Sequence, residues 1–258
     1  MRLTVVGCSG SYPGPDSPCS GYLLEADHVD ESGASRTWRI MLDLGSGALG
    51  ALHRYADPLS IDAVLVSHLH ADHCLDLCGY YVMRKYHPNG PQPRIPVWGP
   101  VGTADRMARA YDLPHDPGMH EQFDFRLWGD PIRIGPFAVR PVPVDHPVPA
   151  FGLRVSADGA TLGYSGDTGP CAGLDDVADG VDLLLAEASF RSGDDNPKGL
   201  HLTGADCGDA AERGGAKRLV LTHVPPWFDR QEALREAREL YAGELGLAVP
   251  GATYDLSG

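Results

Sequence analysis

A chain of 258 residues, 43% apolar and 22% charged, is long enough to bury a substantial core, and no apolar run approaches the length of a membrane span. Its 21 basic and 35 acidic residues leave a formal net charge of −14. Such a surface disfavours long polyanions, which are held largely by Lys and Arg on phosphates, but admits a small anionic substrate drawn to bound metal.

Residues 1–7 are too short, and meet glycine too early, for a signal peptide, so the cytoplasm is the expected compartment. Residues 3–6 read as a strand, followed by the turn Gly7-Cys8-Ser9-Gly10-Ser11 and a Pro/Gly loop to Ser20. That turn either offers backbone N–H groups to a phosphate or is a plain connection, the default. Residues 21–26 and 39–44 suit the arms of a hairpin with 28–35 as its tip, and Ser46 is placed to cap a short helix through Tyr55. The run 63–66 has the length and β-branching of a buried strand. It delivers Ser67-His68-Leu69-His70-Ala71-Asp72-His73 into one loop. Three imidazoles and a carboxylate at a strand's C-terminal end, where open α/β sheets bind ligands, point to a metal site.

Beyond the loop, 75–86 reads as a helix stopped by His87-Pro88-Asn89-Gly90, 95–98 as a strand and 103–111 as a helix. Residues 112–130 read as irregular, with His115 and His120 on the surface. Strand-like runs follow at 132–134, 137–144, 151–156 and 161–165, with Asp158-Gly159 as a hairpin turn. Next come a strand at 181–186 and a helix begun by Thr203 with Asp206 in its first turn and ended by Gly214-Gly215. A strand at 219–221 precedes a last helix, opened by Asp229-Arg230-Gln231-Glu232 and running to about Ala242. Six cysteines without Cys-x-x-Cys spacing read as reduced thiols; Cys74 is a candidate soft ligand but reads better as a packed thiol. With no linker or repeat, the alternation predicts a single layered α/β domain over 1–258.

Three later donors stand where the first loop stands. His146 follows the strand ending at Val144, Asp167 follows 161–165 within Tyr164-Ser165-Gly166-Asp167-Thr168, and His223 follows 219–221. Any one alone reads as a cap or a solvated side chain; their recurrence after strands points to one shared site.

Taken in order, these segments resemble the metallo-β-lactamase superfamily over nearly the whole chain. The resemblance implies a four-layer αβ/βα sandwich holding two divalent ions between its sheets. It also implies that His68, His70 and His146 hold one ion, Asp72, His73 and His223 the other, and that Asp167 bridges them. Imidazole and carboxylate donors suit Zn2+, with Mn2+, Fe2+ or cobalt as alternatives. An aspartate at the bridge, where true β-lactamases carry cysteine, points to the phosphodiesterase and other hydrolase branches. Ala186-Glu187-Ala188-Ser189-Phe190 and His201-Leu202-Thr203 are similar to the Glu-Ala-Thr-Phe and His-Ser-Thr motifs of the tRNA 3′-processing nuclease branch. Gly-Cys-Ser-Gly-Ser, Tyr-Ser-Gly-Asp-Thr-Gly and Leu-Thr-His-Val-Pro-Pro-Trp resemble an actinobacterial group of cyclic-nucleotide phosphodiesterases.

The activity so implied is hydrolysis of a small phosphodiester, foremost a cyclic nucleotide such as cyclic AMP, by hydroxide shared between the ions. In it Asp72 is both ligand and partner of the attacking water, His201 is the candidate acid for the leaving oxygen, and Glu187 orients His201. The alternatives are a tRNA 3′-processing endonuclease and a lactone or thioester hydrolase. The bacterial nuclease carries a tRNA-gripping arm between the equivalents of His146 and Asp167, here only 21 positions apart and already filled by a hairpin. The branch's basic-Asn element is also missing from 13–20. The expected partner is therefore a small molecule, neither tRNA nor membrane, with a homodimer as a candidate assembly. In Pro225-Pro226-Trp227-Phe228, Trp227 or Phe228 either stacks on a substrate base or packs in the core.

Overall fold

In the computed structural model, which describes residues 1–29 and 33–256, the described residues build two seven-stranded sheets. The first runs in the order β14 (Thr253–Asp255), β1 (Arg2–Gly7), β2 (Gly21–Val29), β3 (Ser35–Leu42), β4 (Ala63–Leu65), β5 (Ile95–Gly99) and β6 (Phe123–Leu127). The second runs β13 (Glu244–Leu247), β12 (Arg218–Thr222), β11 (Leu183–Glu187), β10 (Ala160–Tyr164), β9 (Ala150–Ala157), β8 (Phe137–Val144) and β7 (Ile132–Ile134). Helices α1 (Ala48–Leu52), α2 (Ala71–Cys74), α3 (Leu77–Lys85) and α4 (Thr103–Ala110) go with the first sheet. Helices α5 (Ala172–Ala178), α6 (Gly204–Gly214) and α7 (Arg230–Leu240) cover the second.

Alternation along the strands explains the layers. Leu24, Leu42 and Leu65 pack with Leu153, Leu162 and Leu185 in a core shared by the two sheets. Their neighbours Leu23, Met41 and Val64 point the other way, against Leu52, Leu77, Tyr80 and Met107. Leu184, Ala186, Leu219 and Leu221 likewise turn outward to Leu174, Val177, Cys207 and Ala237. A strand apolar on both faces must be covered on both, so the order is helix, sheet, sheet, helix, the metallo-β-lactamase sandwich. Each fully buried side chain of leucine size contributes roughly 1.5–3 kcal/mol.

β3–β6 run parallel, as do β10–β13. Parallel strands collect their C-terminal loops along one edge, and both sheets present that edge to the same cleft. Residues 147–166 are taken up largely by β9, a turn and β10; Asp158 and Gly159 both have positive φ, the geometry of a two-residue hairpin. Thr203 caps α6 with a full capping box to Asp206, and Gly215 closes that helix in the left-handed region.

Several expectations need correction. The helix anticipated from Ser46 to Tyr55 is only Ala48–Leu52, and its N-cap is Gly47 at φ 85°. The 75–86 helix begins inside the histidine loop as α2, breaks, and resumes as α3, because Asp76 N donates back to Leu44 O. The segment 112–130 holds β6, an edge strand whose apolar residues Phe123 and Phe125 pack inward while Arg126 and Leu127 are exposed. Helix α5 and strands β13 and β14 were not anticipated; each is short, with little periodicity to read. The N–H groups of Cys8, Ser9 and Gly10 are spent on Pro18 O and Val224 O, so the glycine turn is a connection, not a phosphate cradle. Of the hairpin tip expected at 28–35, residues 30–32 lie outside the described residues. Among the described residues no helix is long and apolar enough to cross a membrane.

Candidate metal centre

The β4 ladder carries on to Val66, whose N–H donates to Trp98 O, and the chain then turns into the cleft at Ser67. His70 caps α2, and that single turn swings Asp72 and His73 away from His68 and His70. One loop thereby faces two ways.

On one side, His70 Nδ1 lies 3.1 Å from both His68 Nε2 and His146 Nε2. On the other, His223 Nε2 lies 3.0 Å from His73 Nε2 and 3.1 Å from Asp72 Oδ2. Two nitrogens bound tetrahedrally at about 2.0–2.1 Å from one ion stand about 3.3 Å apart, close to these separations. Asp167 belongs to both sides, with Oδ2 3.6 Å from His68 Nε2 and Oδ1 3.2 Å from His73 Nε2. The donor atoms of His68, His70, His146 and Asp167 lie within 4.8 Å of one another, as do those of Asp72, His73, Asp167 and His223. Asp167 Oδ1 is buried without a hydrogen bond among the described residues. A buried carboxylate oxygen left unpaired is costly, and a cation between the two donor sets removes that cost. The residues present therefore fit divalent metal.

Behind the donors lies a layer that sets which ring nitrogen points inward. Asp43 is fully buried; its Oδ2 lies 2.7 Å from His73 Nδ1, accepts from Tyr164 Oη at 2.7 Å and from Ser67 Oγ at 2.8 Å. His73 Nδ1–H thus donates to Asp43 and leaves Nε2 free as a ligand. His146 Nδ1 donates to Leu200 O at 2.9 Å, and His223 Nδ1 lies 2.8 Å from Ser189 Oγ, with the same result for their Nε2 atoms. Asp43 and His223 both hold non-glycine backbone in the left-handed region, at φ 57° and 56°, a strain of about 1–3 kcal/mol each.

Electrostatics follow burial. Burial, with neighbouring imidazoles, holds His68 well below the usual histidine range, and burial lowers His70 and His146. These rings stay neutral with a lone pair to give. Burial opposes the charges of Asp72 and Asp167, but the surrounding histidines win and keep both carboxylates ionised. Burial also opposes a proton on His73, yet Asp167 and Asp43 raise its pKa; the same two carboxylates attract a metal cation.

Glu187 and His201 stand beside the donors. Glu187 is fully buried and held by three donors, with Thr168 N at 3.1 Å and His201 Nδ1 at 2.7 Å on Oε1 and Ser189 N at 3.0 Å on Oε2. Its oxygens are spent on protein. His201 loses charge stability to burial but gains more from the Glu187 carboxylate, and its pKa rises to about 9. Its side chain is 15% exposed, so a protonated Nε2 can face the cleft.

All nine residues singled out from the sequence meet here. Asp43, Ser67, Tyr164, Ser189 and the Leu200 carbonyl were not singled out. Asp43 carried the one usable signal, an acidic residue just past an apolar strand end. Cys74 is buried, donates Sγ–H to His70 O at 3.2 Å, and is pushed up to about 12 by burial, the packed thiol expected. All six cysteines are free.

A family model described as a beta-lactamase superfamily domain matches residues 39–224. An uncharacterized protein of Mycobacterium tuberculosis is 43% identical over 262 residues, covering 99% of this chain and 92% of its own. The probable metallo-hydrolase YhfI of Bacillus subtilis is 26% identical over 99% of this chain and all of its own. The YhfI crystal structure superposes with a TM-score of 0.84 at 23% identity, covering 98% of both chains. A ribonuclease Z of Myxococcus xanthus is 27% identical over 99% of this chain and 98% of its own. Fold, donor chemistry and relatives agree: the chain belongs to the beta-lactamase superfamily, as a metal-dependent hydrolase.

Proposed function

We propose that the protein is a binuclear phosphodiesterase acting on a small phosphodiester, foremost a cyclic nucleotide such as cyclic AMP. In this reading His68, His70 and His146 would hold one ion and Asp72, His73 and His223 the other, with Asp167 facing both sets. When bound, two zinc or manganese ions supply hydroxide near neutral pH and neutralise the phosphate oxygens. Asp72, 12% exposed at the cleft, accepts a hydrogen bond from the attacking water and orients it. His201 donates its Nε2 proton to the leaving oxygen as the P–O bond breaks, and Glu187 keeps that proton in place.

The observation that carries the reading is the Glu187–His201 pair: a histidine kept protonated beside the donors suits a poor alkoxide leaving group. The filled interval 147–166 and the net charge of −14 favour a small substrate over tRNA. The likeness to ribonuclease Z keeps tRNA 3′-end cleavage as the second reading. Purified protein with Zn2+ or Mn2+ is expected to hydrolyse cyclic AMP or a chromogenic phosphodiester, and Asp72→Ala to abolish this. Turnover of lactones or thioesters with none of phosphodiesters would overturn the reading; turnover of precursor tRNA alone would replace it with the second.

A further inference from the structure

Trp227 and Tyr12 are 58% and 43% exposed, and their rings meet with centroids 5.3 Å apart and planes tilted by 34°. They come from chain segments 215 positions apart, so a tertiary contact has set two aromatic faces side by side in water. Both segments are tied to the metal centre. Ser9 bridges to Val224, the residue after His223, and His223 N donates to Cys8 O. Gly10 packs so tightly on the His223 backbone that a Cβ there would lie 2.1 Å from His223 O.

Both rings are also held by rigid backbone. Tyr12 N donates to Gly10 O at 2.7 Å and Ser9 Oγ to Tyr12 O at 2.7 Å. Trp227 follows two prolines and precedes Phe228, whose N–H donates to Pro225 O and whose ring packs on the second sheet's helices under Arg191. Phe228 is therefore the anchor and Trp227 the free face. An exposed aromatic pair on a stiff loop binds a flat ring with little ordering cost.

We infer that Tyr12 and Trp227 form a platform on which the heterocyclic base of a nucleotide diester stacks while its phosphate sits at the metal centre. The inference rests on the phosphodiesterase reading and makes these two residues determinants of substrate choice. Steady-state kinetics on the metal-loaded protein, with cyclic AMP and with the cyclic phosphate of 1,3-propanediol, tests it. The second substrate has the same six-membered diester ring without ribose or base, and phosphorus NMR follows its opening.

Trp227→Ala and Tyr12→Ala are expected to raise KM for cyclic AMP roughly 10- to 100-fold, the usual worth of base stacking, with kcat little changed. Trp227→Phe recovers most of the loss, and kcat/KM for the base-free diester stays the same in every variant. An unchanged KM for cyclic AMP in both alanine variants, while wild type opens either diester, overturns the platform and leaves the phosphodiesterase reading standing. Equal losses on both substrates overturn it too, because the rings then act on the site itself. If wild type opens neither diester, the platform fails, and if it also leaves a chromogenic phosphodiester intact the phosphodiesterase reading fails with it.

Discussion

The two donor sets differ in how deeply they are seated. His73 and His223 are 0% and 1% exposed with only Asp72 partly buried beside them, whereas in the other set His68 alone is fully buried and His70 and His146 are only partly so. The deeper set has its own carboxylate, Asp72, and a second one, Asp43, pressing on His73 from behind. The shallower set has imidazoles, half of Asp167, and a carbonyl as the partner of His146. Extra negative charge and a charged outer partner strengthen binding of a divalent cation. On the proposed binuclear reading, the deeper set should hold its ion more tightly than the shallower set holds its own.

The most severe way to break this contrast is to remove what the two sets share. Asp167→Ala should lose metal at both, seen by elemental analysis, and bring hydrolysis down to the background rate. Retention of one tightly held ion would show that the sets do not depend on a common carboxylate. Asp43→Asn is more selective, since His73 is the one proposed ligand that Asp43 hydrogen-bonds directly, its other partners being Ser67 and Tyr164. It should cost about 10–100-fold in affinity at the deeper set, read by competition with a chromophoric chelator, and affect the shallower set, which it reaches only through Ser67 and His68, far less. Equal weakening at both would sink the proposed asymmetry.

The smallest expected effect concerns proton transfer. His201, raised to about 9 chiefly against burial by Glu187, is protonated at neutral pH and loses its proton as pH climbs through that value. In Glu187→Gln the raising charge is gone, so the alkaline limb of kcat should move to lower pH, toward the ordinary histidine value of about 6.5. Metal content should stay as in wild type. A limb that does not move would assign it to some other group.

How much of this was legible beforehand depended on whether the information was local. The loop 67–73 could be read because four donors fall within six positions behind an apolar run. His146, Asp167 and His223 could be read because strand ends are where donors collect, and Glu187 and His201 through a family likeness. Edge and terminal strands such as β6, β13 and β14 escaped because each is short and half exposed, leaving no periodicity. Asp43 escaped for a different reason. Its one local signal, an acidic residue just past an apolar strand end, does not reveal that its partners are Ser67, His73 and Tyr164, the last of them 121 positions away.

The amino-acid order alone determined most of the strand and helix succession and the gathering of candidate donors at 68–73 and just past three later strand ends, because these follow from short-range pattern; their division between two ions came from the family likeness. Only the tertiary structure decided that Asp167 faces both sets and that buried carboxylates take the Nδ1 side of His73 and of His201. It also decided that Trp227 meets Tyr12 in water while Phe228 packs inward. Each of these depends on which distant strand ends and loops the closed sandwich brings within a few ångströms, and on how much water it leaves there.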